Sequence, residues 1–386
     1  MPIQAAFTLN PNEIFKTLGN MIISQEVFAD NLGKHQTLVD KARVDGSMYG
    51  DKKLYYATDA LKTNAWGNDA EATNLLALDR PDDPEVQAIT LDVFRQIRLT
   101  VDNYLSKRAW ADEGSFSSFN SVMLGWMRES KRIYDGTLYN VFIGTNETSV
   151  GEQEQIIHLE SASAGDPLYG LTGVEKEQME AMIIAQSLAD LMVAMGDYSR
   201  EYNDYGFIRS YADEAIKIIW NAKVVNKVRK VDLPTIFHKE GLVDKFEQEV
   251  LPARYFGRDV AASDKGSGKV INASGEYDPT KGTIRTRVEK EVTVSGVDYH
   301  LFPGDELPSG ATVKASGNFE EAEVYIVDET IACKVLVKLP PYLSSFEAGS
   351  SFFNARSLTE NHYLTFGHNT LVALKNYPFV TVRLSK

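Results

Sequence analysis

Apolar and polar side chains alternate through residues 93–101, where Val93, Ile97, Leu99 and Val101 share one register with Arg95 set among them. A period of two predicts a strand with one covered face. A second strand-like run, KKLYYAT at 52–58, precedes it, and the stretch between them, TNAWGNDAEATNLLALDRPDDPE at 63–85, is polar and rich in turn formers. The two runs read as one extended hairpin with a wide connection. A two-stranded ribbon buries little by itself and leaves two edges open, so this one needs a partner surface. Upstream, residues 1 to about 45 carry Ile14, Leu18, Ile22 and Ile23 at helical spacing but too few apolar positions for a core of their own. They read as an arm lying on something else.

After residue 115 the period lengthens. Phe116, Phe119, Val122, Met123, Trp126, Met127, Ile133, Tyr134 and Leu138 recur at spacings of three and four, which predicts a long amphipathic helix with Ser115 as its cap and Gly125 and Gly136 as points of bending. QEQIIHLE at 153–160 reads as a strand. The run 174–195, with Thr172 or Gly173 at its cap and Glu175 and Glu177 at the positive end of the dipole, predicts a second helix. It is apolar almost all round, so a central core helix is expected. AIKIIWN at 215–221 is a buried-strand candidate, after which Asn221 caps a helix turning Val224, Val225, Val228 and Val231 inward.

Composition shifts to Gly, Ser, Asp and Lys from Gly257, and residues 271–320 read as a small β insertion. EVYIVDETIACKVLVKLP at 323–340 and FVTVRL at 379–384 return to core-like strands. Between them SFEAGSSFFNARSLTENHYL, residues 345–364, is aromatic and amide-rich and lacks the usual reactive groups of an active site. It is suited to packing rather than chemistry.

A chain of 386 residues implies two or three subdomains, and shares of 43% hydrophobic and 24% charged residues are those of a globular protein. The net charge of −14 repels nucleic acid, and no basic block overturns that sign locally, which argues against sequence-specific DNA or RNA binding. Cys333 is the single cysteine, so no intramolecular disulfide forms and a buried structural thiol is expected. The N-terminal MPIQAAFTLNPNEIF lacks a basic segment followed by an apolar one, and no window reaches the ~18 apolar residues of a membrane helix. Neither secretion by that route nor membrane insertion is expected.

The chemistry sought in the sequence does not assemble. SDKGSGKV at 263–270 lacks the first glycine, the final hydroxyl and the following helix of a phosphate-binding loop. Six histidines, at 35, 158, 238, 300, 362 and 368, show no zinc spacing. The acidic cluster from Asp79 to Glu85 contains Pro81 and Pro84 and reads as a stiffened, solvated connection rather than a metal loop. No nucleophile elbow or triad can be singled out. No catalytic residue, metal or cofactor is expected, and the aromatic pieces Tyr55-Tyr56, Phe352-Phe353 and Tyr377-Pro378-Phe379 read as packing or subunit contacts.

The order of arm, hairpin, long helix, α/β region, β insertion and returning strands resembles the α+β major capsid proteins of tailed bacteriophages with the Hong Kong 97 fold. FNSVMLGWMRESKRIYDGTLYNVFIGT, IIWNAKVVNKVRKVDLPTIFHKEG and FFNARSLTENHYL are similar to segments of short-tailed phage capsid proteins, including the crAss-like and related groups. The resemblance implies an N-terminal arm at 1–45, an E-loop hairpin at 46–105, a peripheral domain with the spine helix at 106–165, an axial domain at 166–270, the added β domain at 271–320, and return strands at 321–386. It also implies pentamers and hexamers closing into an icosahedral head around double-stranded DNA, with scaffolding, portal and decoration proteins as partners, in a virion assembled in the host cytoplasm. Trp66 and Arg80 at the hairpin tip, with Phe352 and Phe353, are the expected assembly contacts. An encapsulin-like cargo shell is the alternative on the same fold. An α/β hydrolase using His362 or the acidic pair within 79–85 is the alternative from another class.

Overall fold

The structure, a computed structural model of the chain, describes residues 37–44, 52–63, 80–102, 113–147, 153–161, 163–225, 247–259, 283–309, 311, 324–344 and 347–385. The arm positions Ile14 to Ile23, Trp66, the 263–270 loop, His35, His238, Val228 and Val231 lie outside these residues.

In chain order come α1 (Leu38–Ala42), β1 (Arg43–Val44), β2 (Lys52–Ala57), β3 (Glu85–Asp102), α2 (Glu113–Thr145), β4 (Glu154–His158), α3 (Gly173–Gly196) and β5 (Lys217–Asn221). They are followed by β6 (Glu247–Leu251), β7 (Gly257–Asp259), β8 (Ile284–Thr286), β9 (Lys290–Val294), β10 (Val297–Leu301), β11 (Val324–Val327) and β12 (Ile331–Leu336). The last four are β13 (Tyr342–Leu343), β14 (Glu347–Asn354), β15 (Thr359–Asn369) and β16 (Phe379–Ser385). The fold is mixed α+β and dominated by strands.

A five-stranded sheet, order β4-β16-β12-β5-β6, forms one core. Ile218, Trp220, Val335, Val380 and Val382 on one face pack with Ile184, Leu188, Leu191 and Met195 of α3. On the other face Ile219, Leu336 and Phe379 join Tyr139, Phe142 and Ile143 from the C-terminal half of α2. The sheet is therefore covered on both sides, which explains why its strands read as continuous apolar runs instead of alternating.

Two sequence expectations change here. Helix α3 was expected to be central because it is apolar all round, yet Val174 and Val193 are exposed while a stripe from Ala181 to Met195 is buried. The helix caps one face of the sheet, with Thr172 as its N-cap residue. It is long and apolar enough to cross a membrane by length and composition, and its buried stripe is spent on the sheet. The start of α2 also differs: the helix begins at Glu113, so Ser115 lies inside its first turn instead of capping it, and it runs unbroken through Gly125 and Gly136. Asn221 does cap the helical turn at 222–225, its Oδ1 accepting from the Lys223 amide at 3.0 Å.

The second large sheet is antiparallel, order β14-β15-β3-β2. Strand β3 is 18 residues long and serves two partners: its first third pairs with β2 and the remainder with β15. Smaller elements complete the chain. The β9-β10 hairpin turns at Ser295 and Gly296, both with positive φ as a tight hairpin turn requires. Strand β8, within the expected insertion, is hydrogen-bonded to β11, which also pairs with β7.

The end of α2 approaches the backbone of the 253–255 turn so closely that a Cβ on Gly144 would sit 1.9 Å from the Tyr255 carbonyl oxygen. Gly136, a little over two turns earlier in the same helix, has nothing within 4 Å of such an atom. Replacing glycine by alanine in a helix is worth up to about 1 kcal/mol, whereas forcing atoms into packed backbone costs about 1–3 kcal/mol. G136A is expected to raise the unfolding free energy and G144A to lower it; urea unfolding of both variants checks the opposite signs.

Candidate functional site

Among the described residues, the four-stranded sheet has one face covered by α2 and one left uncovered. Cross-strand partners share a face, so Val93 with His368, Arg95 with Phe366, and Ile97 with Leu364 line the side turned towards α2. There Tyr134 of α2 meets the Phe366 ring edge-on at 5.6 Å, Lys131 lies over the same ring, and the Arg95 guanidinium stands 5.9 Å from the Tyr134 ring centre. The Arg in the alternating pattern is thus accommodated by aromatic contact.

At the centre of this face sits a fully buried carboxylate. Asp135 accepts hydrogen bonds from the Tyr342 hydroxyl at 2.6 Å and from Arg43 Nη2 at 3.1 Å, and Lys131 Nζ lies 3.4 Å away. Lys131 also pairs with Glu347 at 3.1 Å. Burial, reinforced by the Asp135 carboxylate, holds the Tyr342 hydroxyl far above the usual phenol range. His368 Nδ1 faces the Asn369 carbonyl, which only accepts, so Nδ1 carries a proton, and Nε2 lies 2.9 Å from the Tyr134 hydroxyl. Burial lowers its pKa. These groups are saturated by one another and serve as a fastening.

The opposite face carries Phe94, 58% exposed, whereas Leu54, Tyr56 and Val86, with Tyr56 64% exposed, lie beyond the register shift between His368 and Asn369, which puts them on the face of Val93. On the Phe94 face, between Phe94 and Phe352, runs a polar ladder in which Gln96 donates to Thr365, Arg98 donates to Gln96, and Thr100 donates to Asn361. Gly367 opposite Phe94 leaves room for its ring, which lies 3.1 Å from where a Cβ would stand. Strand β14, at the sheet margin, is exposed from Glu347 through Phe353. Large apolar side chains are thus exposed on both faces of this sheet.

Of the expected contact residues, Phe352 and Phe353 lie on β14, 62% and 51% exposed, and as sequence neighbours on a strand they point to opposite faces. Arg80 is exposed on the chain leading into β3. Sequence reading missed Phe94, Leu54 and Val86. Its available signal was a phenylalanine standing in the polar register of β3, between Asp92 and Gln96.

Chemical groups are scattered. Among the described residues no three His, Cys, Asp or Glu side chains are placed to hold a metal ion. His158 and His300 are exposed beside Glu160 and Glu289, and His362 is near Glu360. Cys333 is fully buried, and burial pushes its thiol up. An open hollow beside β3, between Gln87, Asn146, Asp204 and Lys375, brings no nucleophile against a base.

One buried cation stands apart. Lys334 on β12 is fully enclosed and donates to the Asn146 carbonyl at the end of α2 at 2.9 Å and to Thr381 Oγ1 at 2.8 Å, with the Phe379 ring beside it. A cation at a helix C-terminus meets the negative end of the dipole. Burial nevertheless brings its pKa down to about 7, partly offset by Glu147. Nearby Arg383 binds Glu147, Glu154 and Asp328 together.

No family model matches the chain, and no curated protein matches it in sequence. Solved structures do match in fold. A chain of the capsid structure of Staphylococcus phage Andhra is 11% identical, aligns over 91% of this chain and 84% of its own length, and superposes with a TM-score of 0.51. A chain from the structure of the head fiber and inner core protein gp22 of native bacteriophage P68 is 10% identical, with 89% and 83% coverage and a TM-score of 0.52. The strand-dominated α+β architecture described above is thus one found among bacteriophage structural proteins.

Lys334 sets a pH dependence whose sign is fixed. Its folded pKa lies below the ordinary 10.5, so from about 7 to 10.5 the unfolded chain binds the proton more readily and stability rises with pH. Thermal unfolding midpoints measured across that window are expected to climb less steeply in K334M than in the parent chain. An equal slope would assign the pH dependence elsewhere.

Proposed function

We propose that this chain is a major shell protein of a bacteriophage head, built in the Hong Kong 97 manner and self-assembling through pentamers and hexamers around double-stranded DNA. The observation that carries the reading is the likeness over 91% of the chain to the Andhra capsid structure. The unfinished face and margin of the four-stranded sheet support it physically, since a subunit destined for a shell leaves apolar surface for its neighbours to cover.

In this assignment α2 is the spine helix, the four-stranded sheet with α2 combines the E-loop and peripheral parts (46–105 and 106–165) with return strands from 321–386, and the five-stranded sheet with α3 combines the axial part (166–270) with the other return strands of 321–386. Residues 1–45 form the arm, and 271–320 an added β domain. Trp66, Arg80, Phe352 and Phe353 are proposed as contacts between subunits. The negative net charge would keep packaged DNA from adhering to the wall. Scaffolding, portal and decoration proteins are the expected further partners, the host cytoplasm the place of assembly, and the role is structural rather than enzymatic.

Electron microscopy of the purified chain is expected to show capsomer rings or closed particles, and a monodisperse monomer at high concentration would overturn the reading. Substituting exposed side chains away from special features shifts stability by about 0.5 kcal/mol or less. F352S/F353S is therefore expected to unfold like the parent chain while forming few or no particles, as seen by thermal melts and microscopy on the same sample.

A further inference from the structure

The two margins of the four-stranded sheet are built differently. The β2 margin carries Lys52 and Lys53, charges of the kind that keep an edge strand from pairing with another chain. The β14 margin, Glu347-Ala348-Gly349-Ser350-Ser351-Phe352-Phe353-Asn354, has no lysine and no proline. Among the described residues β14 is hydrogen-bonded on one side, to β15, and its exposed run includes apolar side chains on both faces. A margin of this length with no lysine or proline, and with its one charge, Glu347, at its end, is a template for a further strand.

We propose that the added strand is β14 of a second copy, paired antiparallel across a two-fold axis that passes beside Ser351. An edge meeting itself antiparallel requires an axis perpendicular to the sheet, which keeps every side chain on its own face. Opposed residues must then share a face, so only registers that pair like with like are allowed.

With Ser351 on the axis, Gly349 comes opposite Phe353 of the second copy and Ser350 opposite Phe352. Each bulky ring is received by a small residue, and among the described residues nothing lies within 4 Å of a Cβ position on Gly349. The same solution occurs inside the protein, where Phe94 stands against Gly367. At the ends, Glu347 comes opposite Ala355, the first residue of the turn after β14. Shifting the axis to Ser350 instead sets Glu347 against Phe353, and shifting it to Phe352 shortens the overlap. The result is one sheet continuous through two subunits, with Phe352 and Phe94 on a shared face. This refines the shell-subunit reading by naming how two copies join, and it rests on that reading only for the identity of the partner.

Opposed residues in an antiparallel pair have Cα atoms about 4.5–5.5 Å apart, inside the range a disulfide spans, whereas residues displaced by one pair along the strand exceed it. The test uses the full chain carrying S351C or S350C, mildly oxidised; Cys333 is fully buried and remains as an internal control. A covalent dimer in S351C that is absent from S350C and from the parent chain, with the linked peptide identified by mass spectrometry, is the expected result. S351K is expected to keep the parent's melting behaviour and to lose the association. Particles that form without any S351C dimer overturn the edge pairing and leave the shell reading standing. An S351C dimer in a chain that never forms particles supports the pairing and overturns the shell reading. A dimer in S350C with none in S351C overturns the pairing as stated.

Discussion

The buried carboxylate of Asp135 holds together stretches of chain that are far apart in sequence. Arg43 arrives from the segment after α1, Tyr342 from β13, and Lys131 from one turn earlier in α2, with Lys131 also reaching Glu347 at the start of β14. A carboxylate enclosed this completely would be costly if unpaired, and removing one partner of a buried ion pair typically costs about 3–5 kcal/mol. Its presence therefore fixes the geometry of the segments around it. The parallel pairing of β1 with β13, the packing of Leu38 and Val39 under α2, and the start of the exposed margin all depend on it.

From that fastening α2 extends in two directions with two different jobs. Its middle turns cover one face of the antiparallel sheet, while its last turns cover one face of the mixed sheet and end against Lys334. The five-stranded sheet is covered on both faces. Among the described residues the four-stranded sheet is covered on one, and that asymmetry separates the sheet closed on itself from the sheet proposed to meet neighbours. The lysines on one margin and their absence on the other give the unfinished sheet a direction.

The end of α2 is densely charged. Lys334 and the Arg383 cluster with Glu147, Glu154 and Asp328 tie the C-terminal strand to the helix end and to the 328–330 turn. Cations at that position complement the helix dipole. The close approach of Gly144 to the 253–255 turn adds a steric constraint beside the electrostatic one.

The sequence by itself determined the local elements, because periodicity records which side chains need cover: the alternation through Val93 to Val101, the helical spacing from Trp126 to Leu138 and the apolar runs of β5, β12 and β16 each match an observed element. The order of those elements also carried the resemblance to phage capsid proteins, and the likeness in fold agrees with it. Only the tertiary structure decided which partner each element covers. A nearly all-apolar pattern could not tell a central helix from α3 lying on one face, and an isolated Asp135 gave no sign that Arg43 and Tyr342 would converge on it across 92 and 207 positions. Phe94 looked like one more residue in a polar register until β15 placed Gly367 opposite it. Periodicity reports how much surface must be buried and on which side; the identity of the burying partner is set by long-range pairing and close packing, which a one-dimensional pattern does not contain.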